Sequence, residues 1–272
     1  QAAKYKAQSW VLDWISGFGM GKGPGWSADL TGRRMIRWIN HSAFLLNRLS
    51  RARQAEVRHS MAIQTLLLAK SWRRLQPGRP RFEALSALVG AAQSLDGMGS
   101  LLTPALSALA LECKTQIDVD GGITSRNPEE LLKIFGLLTW VKQTLNLSNT
   151  PIPEVLATTI TTIAPVLRSL RHGDGTLVRF HGGAQGSEYV LDQALAISEV
   201  RPSKPRDEAM GFVRLSAGVS SLIVDAGMPP SGSERFGGHA STCAFELSVG
   251  RNVIIVNCGS GLCFGVDWHL AG

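Results

Sequence analysis

RHGDGTLVRF, residues Arg171 to Phe180, is where the hydrophobic periodicity of this chain changes. Before it, apolar residues recur at helical spacing. Leu30 to Leu49 carries Met35, Ile36, Trp38, Ile39, Phe44 and Leu45, and Glu56 to Leu75 repeats the habit until Gln76-Pro77-Gly78 stops it. Phe82–Leu95, Leu101–Gln116, Pro128–Leu145 and Glu154–Leu170 continue the pattern, so the spacing predicts paired antiparallel helices. Beyond the His172-Gly173-Asp174-Gly175 turn the runs become short and β-branched. Strands are expected over Thr176–Phe180, over Gly211–Leu215 with Ser220–Asp225 as a hairpin, and over Ala244–Val249 with Asn252–Asn257 as a second one. The unbroken Val253–Val256 run suggests a strand covered on both faces, and residues 181–208 and 226–238 read as Gly-, Pro- and Ser-rich loops. The expectation is an α+β chain with a helical domain over 1–170 and an antiparallel β-sheet domain over 171–272.

Composition excludes several classes. With 272 residues, 44% hydrophobic and 18% charged, the chain is globular rather than disordered or collagen-like. Its long uncharged stretches Ala84–Leu95 and Gly97–Leu111 are split by Asp96 and interrupted by Gly, Ser, Thr and Pro, which argues against a transmembrane helix. Position 1 is Gln, no signal peptide is visible, and the chain stops soon after Asp267-Trp268-His269, so it reads as a piece of a longer protein. The net charge of +7 is uneven: residues 1–81 hold 15 Lys and Arg against Asp13, Asp29 and Glu56, a net of +12. That half is a candidate for meeting a polyanion, although arginines also simply solvate helix faces. Cys113, Cys243, Cys258 and Cys263 form no CxxC and sit mostly in apolar runs, which favours buried free thiols.

No Walker A, GxSxG, HExxH or Rossmann fingerprint is present. Gly19-Met20-Gly21-Lys22-Gly23 lacks both the preceding strand and the GK[ST] ending of a phosphate loop. His239 follows the Phe236-Gly237-Gly238 turn and precedes a strand, where an imidazole serves as proton carrier or metal ligand, or is merely hydrogen-bonded in its loop. His41, within a helix, reads as structural, and His172 and His181 flank a strand and could equally be surface residues. DVDGGITSRNP, Asp118 to Pro128, runs through Arg126 and Asn127 onto a helix start, with Asn127 as N-cap and Pro128 in the first position. Such an end presents donors and a guanidinium to an anion, or is an ordinary capped loop.

DVDGGITSRNP, RHGDGTLVRFHGG (Arg171 to Gly183) and GHASTCAFELSVGRNVIIVNCGSG (Gly238 to Gly261), in this order behind a helical region, resemble the bacterial heparinase II/III-like polysaccharide lyases. The last motif is the specific one. The resemblance implies an incomplete α/α toroid followed by the start of an antiparallel β-sandwich, with substrate held in the groove between them and a periplasmic or cell-envelope location. It also implies β-elimination at a uronic acid of an acidic polysaccharide such as a glycosaminoglycan, which needs a neutralised carboxylate, a base for the C5 proton and an acid for the leaving oxygen. This chain departs from the family pattern. Where the family has H-x-H-x-D, only the second histidine is kept, as His239, while Gly237 and Ser241 stand at the others. An aspartate that ligates zinc in some members is Asn257 here, the family's Asn-His falls near Arg79-Pro80, and its tyrosine falls on Glu130. Zinc or calcium is therefore possible by resemblance through His239 and Asn257 but not expected to be held.

Three readings follow. The first is a lyase with a changed site, in which Arg126, Asn127, Arg79 and Arg81 meet substrate carboxylates and His239 moves the proton. The second is a catalytically silent carbohydrate-binding relative. The third, a nucleic-acid binder, rests only on the basic half and lacks an aromatic stacking set or a known module.

Overall fold

The structure is a computed structural model describing residues 2–21, 23, 25–230 and 242–259. Helices come first and an antiparallel sheet last. The order is α1 (Ala2–Phe18), α2 (Ala28–Asn40), α3 (Ser42–Leu46), α4 (Arg51–Ser71), α5 (Arg79–Ser94), α6 (Leu102–Gln116), α7 (Pro128–Leu147), α8 (Glu154–Ser169), α9 (Glu188–Ser198), then β1 (Glu208–Ala209), β2 (Phe212–Ala217), β3 (Ser220–Asp225), β4 (Phe245–Val249) and β5 (Asn252–Ile255). Two compact units emerge: residues 1–112 with 143–153, and residues 113–142 with 154–272. The switch from helix to strand and the division into units are thus different boundaries, because helical residues 113–142 and 154–170 group with the sheet.

In the first unit α5 is the buried element, with every residue from Phe82 to Ala92 out of solvent. Its run of Ala, Leu, Val, Ser and Gly has no charge after Glu83, and each large side chain so buried contributes about 1.5–3 kcal/mol. α2 crosses it at Gly32, where an added Cβ would lie 3.1 Å from both the Cα and the N of Ala84, close enough that α5 would have to give way. The helix expected over Leu30–Leu49 breaks at His41, which ends α2 at φ −105° and ψ 18° and begins α3. α1 lies in a segment for which no element was expected. Its Trp14 stacks on Trp26 at 5.6 Å and meets Trp38 edge-on at 5.8 Å.

In the second unit the five strands run in the order β1-β2-β3-β4-β5, all antiparallel. Both expected hairpins form, turning through Gly218 (φ 59°) and Gly250 (φ 57°), left-handed conformations that glycine adopts without penalty. Register aligns Leu215, Leu222, Leu247 and Ile255 across four strands on one face. The opposite face carries the buried Ser221, Ile223 and Asp225 of β3 and Glu246 and Ser248 of β4. Three expectations are corrected. Thr176–Phe180 contributes a single bridge, Arg171 to Leu177, instead of a strand. The expected loop over 181–208 contains α9. β5, at the sheet edge, leaves Ile254 59% and Ile255 41% exposed rather than covered on both faces. Cys113 is buried, as expected of the cysteines, but Cys243 and Cys258 are exposed.

Candidate functional site

Two carboxylates project from neighbouring strands into the buried face of the sheet, and the second unit is organised around satisfying them. A buried charge needs a partner and a full set of hydrogen bonds. Asp225, at the end of β3 with its side chain 1% exposed, receives Arg126 Nη2 on Oδ1 and faces His181 Nε2 on Oδ2 at 2.9 Å. Arg126 Nε and Nη2 also donate to the carbonyls of Met210 (3.0 Å) and Gly211 (2.9 Å), and Nη1 donates to that of Met228 (2.7 Å). Its guanidinium lies 4.7 Å from the centre of the Phe212 ring, which stacks on Phe180 at 4.9 Å. Gly211 and Gly227 make room for it, since a Cβ on either would fall 2.8–2.9 Å from guanidinium atoms.

The second carboxylate is Glu246 of β4, also buried. Its Oε1 accepts the backbone N–H groups of Arg179 (2.9 Å) and Asn257 (3.0 Å), and its Oε2 lies 2.6 Å from His172 Nε2. His172 and His181, which could have been surface residues by sequence, are 4% and 2% exposed.

Of the residues expected at a site, Arg126 lines a cleft of about 680 Å³ with Asp118, Asp120, Arg206, Glu208 and Met228. Its donors, however, are directed at Asp225 and three carbonyls, so the guanidinium acts as a clamp between the loop before α7 and β2–β3. Asn127 caps α7, accepting the Glu130 N–H at 3.0 Å while its amide donates to the His181 carbonyl at 3.0 Å. Arg79 and Arg81 belong to the first unit. There Arg79 pairs with Glu83 at 3.1 Å and Arg81 donates to the Leu75 carbonyl and pairs with Glu112 at 3.6 Å. The four expected substrate contacts thus sit in both units, each with partners inside the chain. His239 lies outside the described residues.

The metal implied by resemblance finds a poor donor set. Asn257 is neutral, its side-chain oxygen already accepts the Gly259 N–H at 2.9 Å, and among the described residues no three His, Cys, Asp or Glu side chains gather to hold an ion. Asp225 and Glu246 were missed by sequence reasoning. Alternation along SSLIVD puts Asp225 on the face of Ile223, but only the pairing of β3 with β4, across residues 226–244, sets Glu246 opposite Ile223.

Residues 200–272 match the family model "Heparinase II/III-like, C-terminal". Over 252 residues the chain is 28% identical to FtsZ-localized protein C of Caulobacter vibrioides, covering 92% of this chain and 43% of that protein. A crystal structure of heparinase III superposes with a TM-score of 0.75 at 13% identity, over 93% of this chain and 47% of the other. The heparan sulfate lyase HepC of Pedobacter heparinus superposes with a TM-score of 0.61 at 17% identity, over 93% and 45% of the two chains. The chain therefore spans less than half the length of these relatives. No helix among the described residues is long and apolar enough to cross a membrane. Helices followed by an antiparallel sheet give this chain the fold of the heparinase structures, and its residues 200–272 are similar to the heparinase II/III-like C-terminal family.

Proposed function

We propose that this polysaccharide-lyase-related protein binds uronate-containing acidic polysaccharide as a catalytically silent relative of the lyases. The observation that carries the reading is a basic stripe on α4. Arg51 and Arg58 are exposed near its start, and Lys70, Arg73 and Arg74 are exposed at its end and in the turn that follows. Arg51 and Lys70 stand 19 positions apart, about 28 Å along the helix at ~1.5 Å per residue, so the two basic groups could meet separate stretches of one polyanion. Arg126, Asn127, Arg79 and Arg81 support the silent reading because their hydrogen bonds and ion pairs inside the chain compete with any substrate carboxylate. Binding of a sulfated uronate oligosaccharide of the heparin type, titrated at several salt concentrations, tests it. Arg51→Glu with Arg58→Glu is expected to weaken binding at least tenfold and to flatten its salt dependence. Unchanged affinity in that variant would refute the stripe as the binding surface.

A second reading rests on the relative named FtsZ-localized protein C, which is aligned along 92% of this chain. In that reading the protein is recruited to the division site, and a fluorescent fusion would co-localise with FtsZ at midcell. A fusion spread evenly through dividing cells would reject it.

A further inference from the structure

The first unit contains a cleft of about 790 Å³ between α1 and the α2–α3 bend, lined by residues other than the α4 cations and with different chemistry. Trp14, Trp38 and Phe44 line it, Trp10 stands 62% exposed at its mouth, and Arg37 and His41 border it, both exposed. Its walls are fixed rather than loosely apposed. Gln8 of α1 donates from Nε2 to the carbonyls of Leu45 (2.8 Å) and Asn47 (2.9 Å), tying α1 to the end of α3. Arg34 lies 4.0 Å from the centre of the Trp14 ring and donates to the Gly25 carbonyl and to Gln64, so it braces the floor; burial lowers its guanidinium to about 10.

The rim is cationic. Arg37 makes no side-chain hydrogen bond or ion pair among the described residues, Lys6 lies 5.5 Å over the Trp10 ring, and Lys4 and Arg48 flank the same end. Exposed tryptophan beside an uncommitted arginine is the combination that dominates binding energy at protein interfaces. The walls are indole, phenyl and aliphatic, with Arg34 at the floor and Arg37 and His41 at the rim, an arrangement that suits bulky apolar side chains flanked by carboxylates.

We infer that this cleft docks an acidic amphipathic segment of a partner protein. Bulky apolar side chains at helical spacing would enter between Trp10, Trp38 and Phe44, and carboxylates on their flanks would meet Arg37 and His41. This inference does not depend on the polysaccharide reading, since it uses other residues and another ligand class.

The test uses the 272-residue chain and two labelled synthetic peptides that share leucine and phenylalanine anchors at helical spacing. One carries glutamates at the remaining positions and the other lysines. Fluorescence anisotropy is expected to show saturable binding of the glutamate peptide, with the lysine peptide at least tenfold weaker. Arg37→Glu and Trp10→Ala, both exposed and so compatible with folding, are each expected to cost about tenfold, with unchanged thermal melts confirming the fold. Equal binding by wild type and both variants would overturn the proposal, as would no binding of the glutamate peptide. Competition by the heparin-type oligosaccharide that is lost in Trp10→Ala would reassign the cleft to sugar. Concentration-dependent self-association lost in Trp10→Ala would reassign it to a second copy of the chain.

Discussion

Replacing Arg126 by Met separates a clamp from a substrate contact. The substitution keeps most of the aliphatic stem over Phe212 and removes the guanidinium, which leaves the Asp225 carboxylate, 1% exposed, facing His181 without the paired guanidinium. Removing one partner of a buried ion pair costs about 3–5 kcal/mol, most of it the penalty of the stranded charge. The carbonyls of Met210, Gly211 and Met228 add less, because all three residues border a cleft where water can replace the lost donor. Against a total stability of ~5–15 kcal/mol this is a large fraction, so Arg126→Lys serves as a milder companion. Urea unfolding by far-UV circular dichroism, with hydrogen exchange of the β2 and β3 amides, measures the loss. Asp225→Asn added to Arg126→Met is expected to restore part of it, since the double variant no longer strands a charge. Affinity for the heparin-type oligosaccharide, per folded molecule, is expected to stay at the wild-type value. A stability loss under about 1 kcal/mol, or a normal fold with oligosaccharide binding abolished, would refute the clamp.

Asn127→Ala removes the α7 cap and is expected to destabilise by about 0.5–2 kcal/mol in the same urea assay. Gly32→Val drives a side chain into the backbone of α5 and is expected to cost about 1–3 kcal/mol or more, read as a lower Tm. Burial alone would raise the Asp174 carboxyl, but the N–H of Thr176 at 2.9 Å and its hydroxyl at 2.8 Å hold it below the ordinary 3.8. A carboxylate lowered in the folded state stabilises above its unfolded value, and that contribution fades as pH falls through the folded one. Asp174→Asn is therefore expected to lower Tm at neutral pH and to converge on wild type in acid.

Legibility in the sequence follows the length of the physical signal. The helices from α4 to α8 and the two hairpins were legible because periodicity persists over many residues and glycine marks both turns. α1 was not, although Trp10, Trp14 and Phe18 recur on one side of it, because Gly17, Gly19, Gly21, Gly23 and Gly25 follow at once and break the helical pattern there. Thr176–Phe180 has strand composition, yet its neighbours bend to deliver His172 and His181 to two buried carboxylates, and tertiary demand overrides β-propensity there. The Asn127 cap was legible from four consecutive residues. The partner of Arg126 was not, since Asp225 lies 99 positions away and only strand register reveals that it points inward.

The most direct test of the silent-binder account follows binding and chemistry in one sample. The chain is mixed with a heparin-type oligosaccharide, and bound fraction and the absorbance of unsaturated uronate are recorded together over a long incubation. The account predicts salt-sensitive binding with no unsaturated product. Product that accumulates with wild type and vanishes with His239→Ala would contradict it and restore the lyase reading.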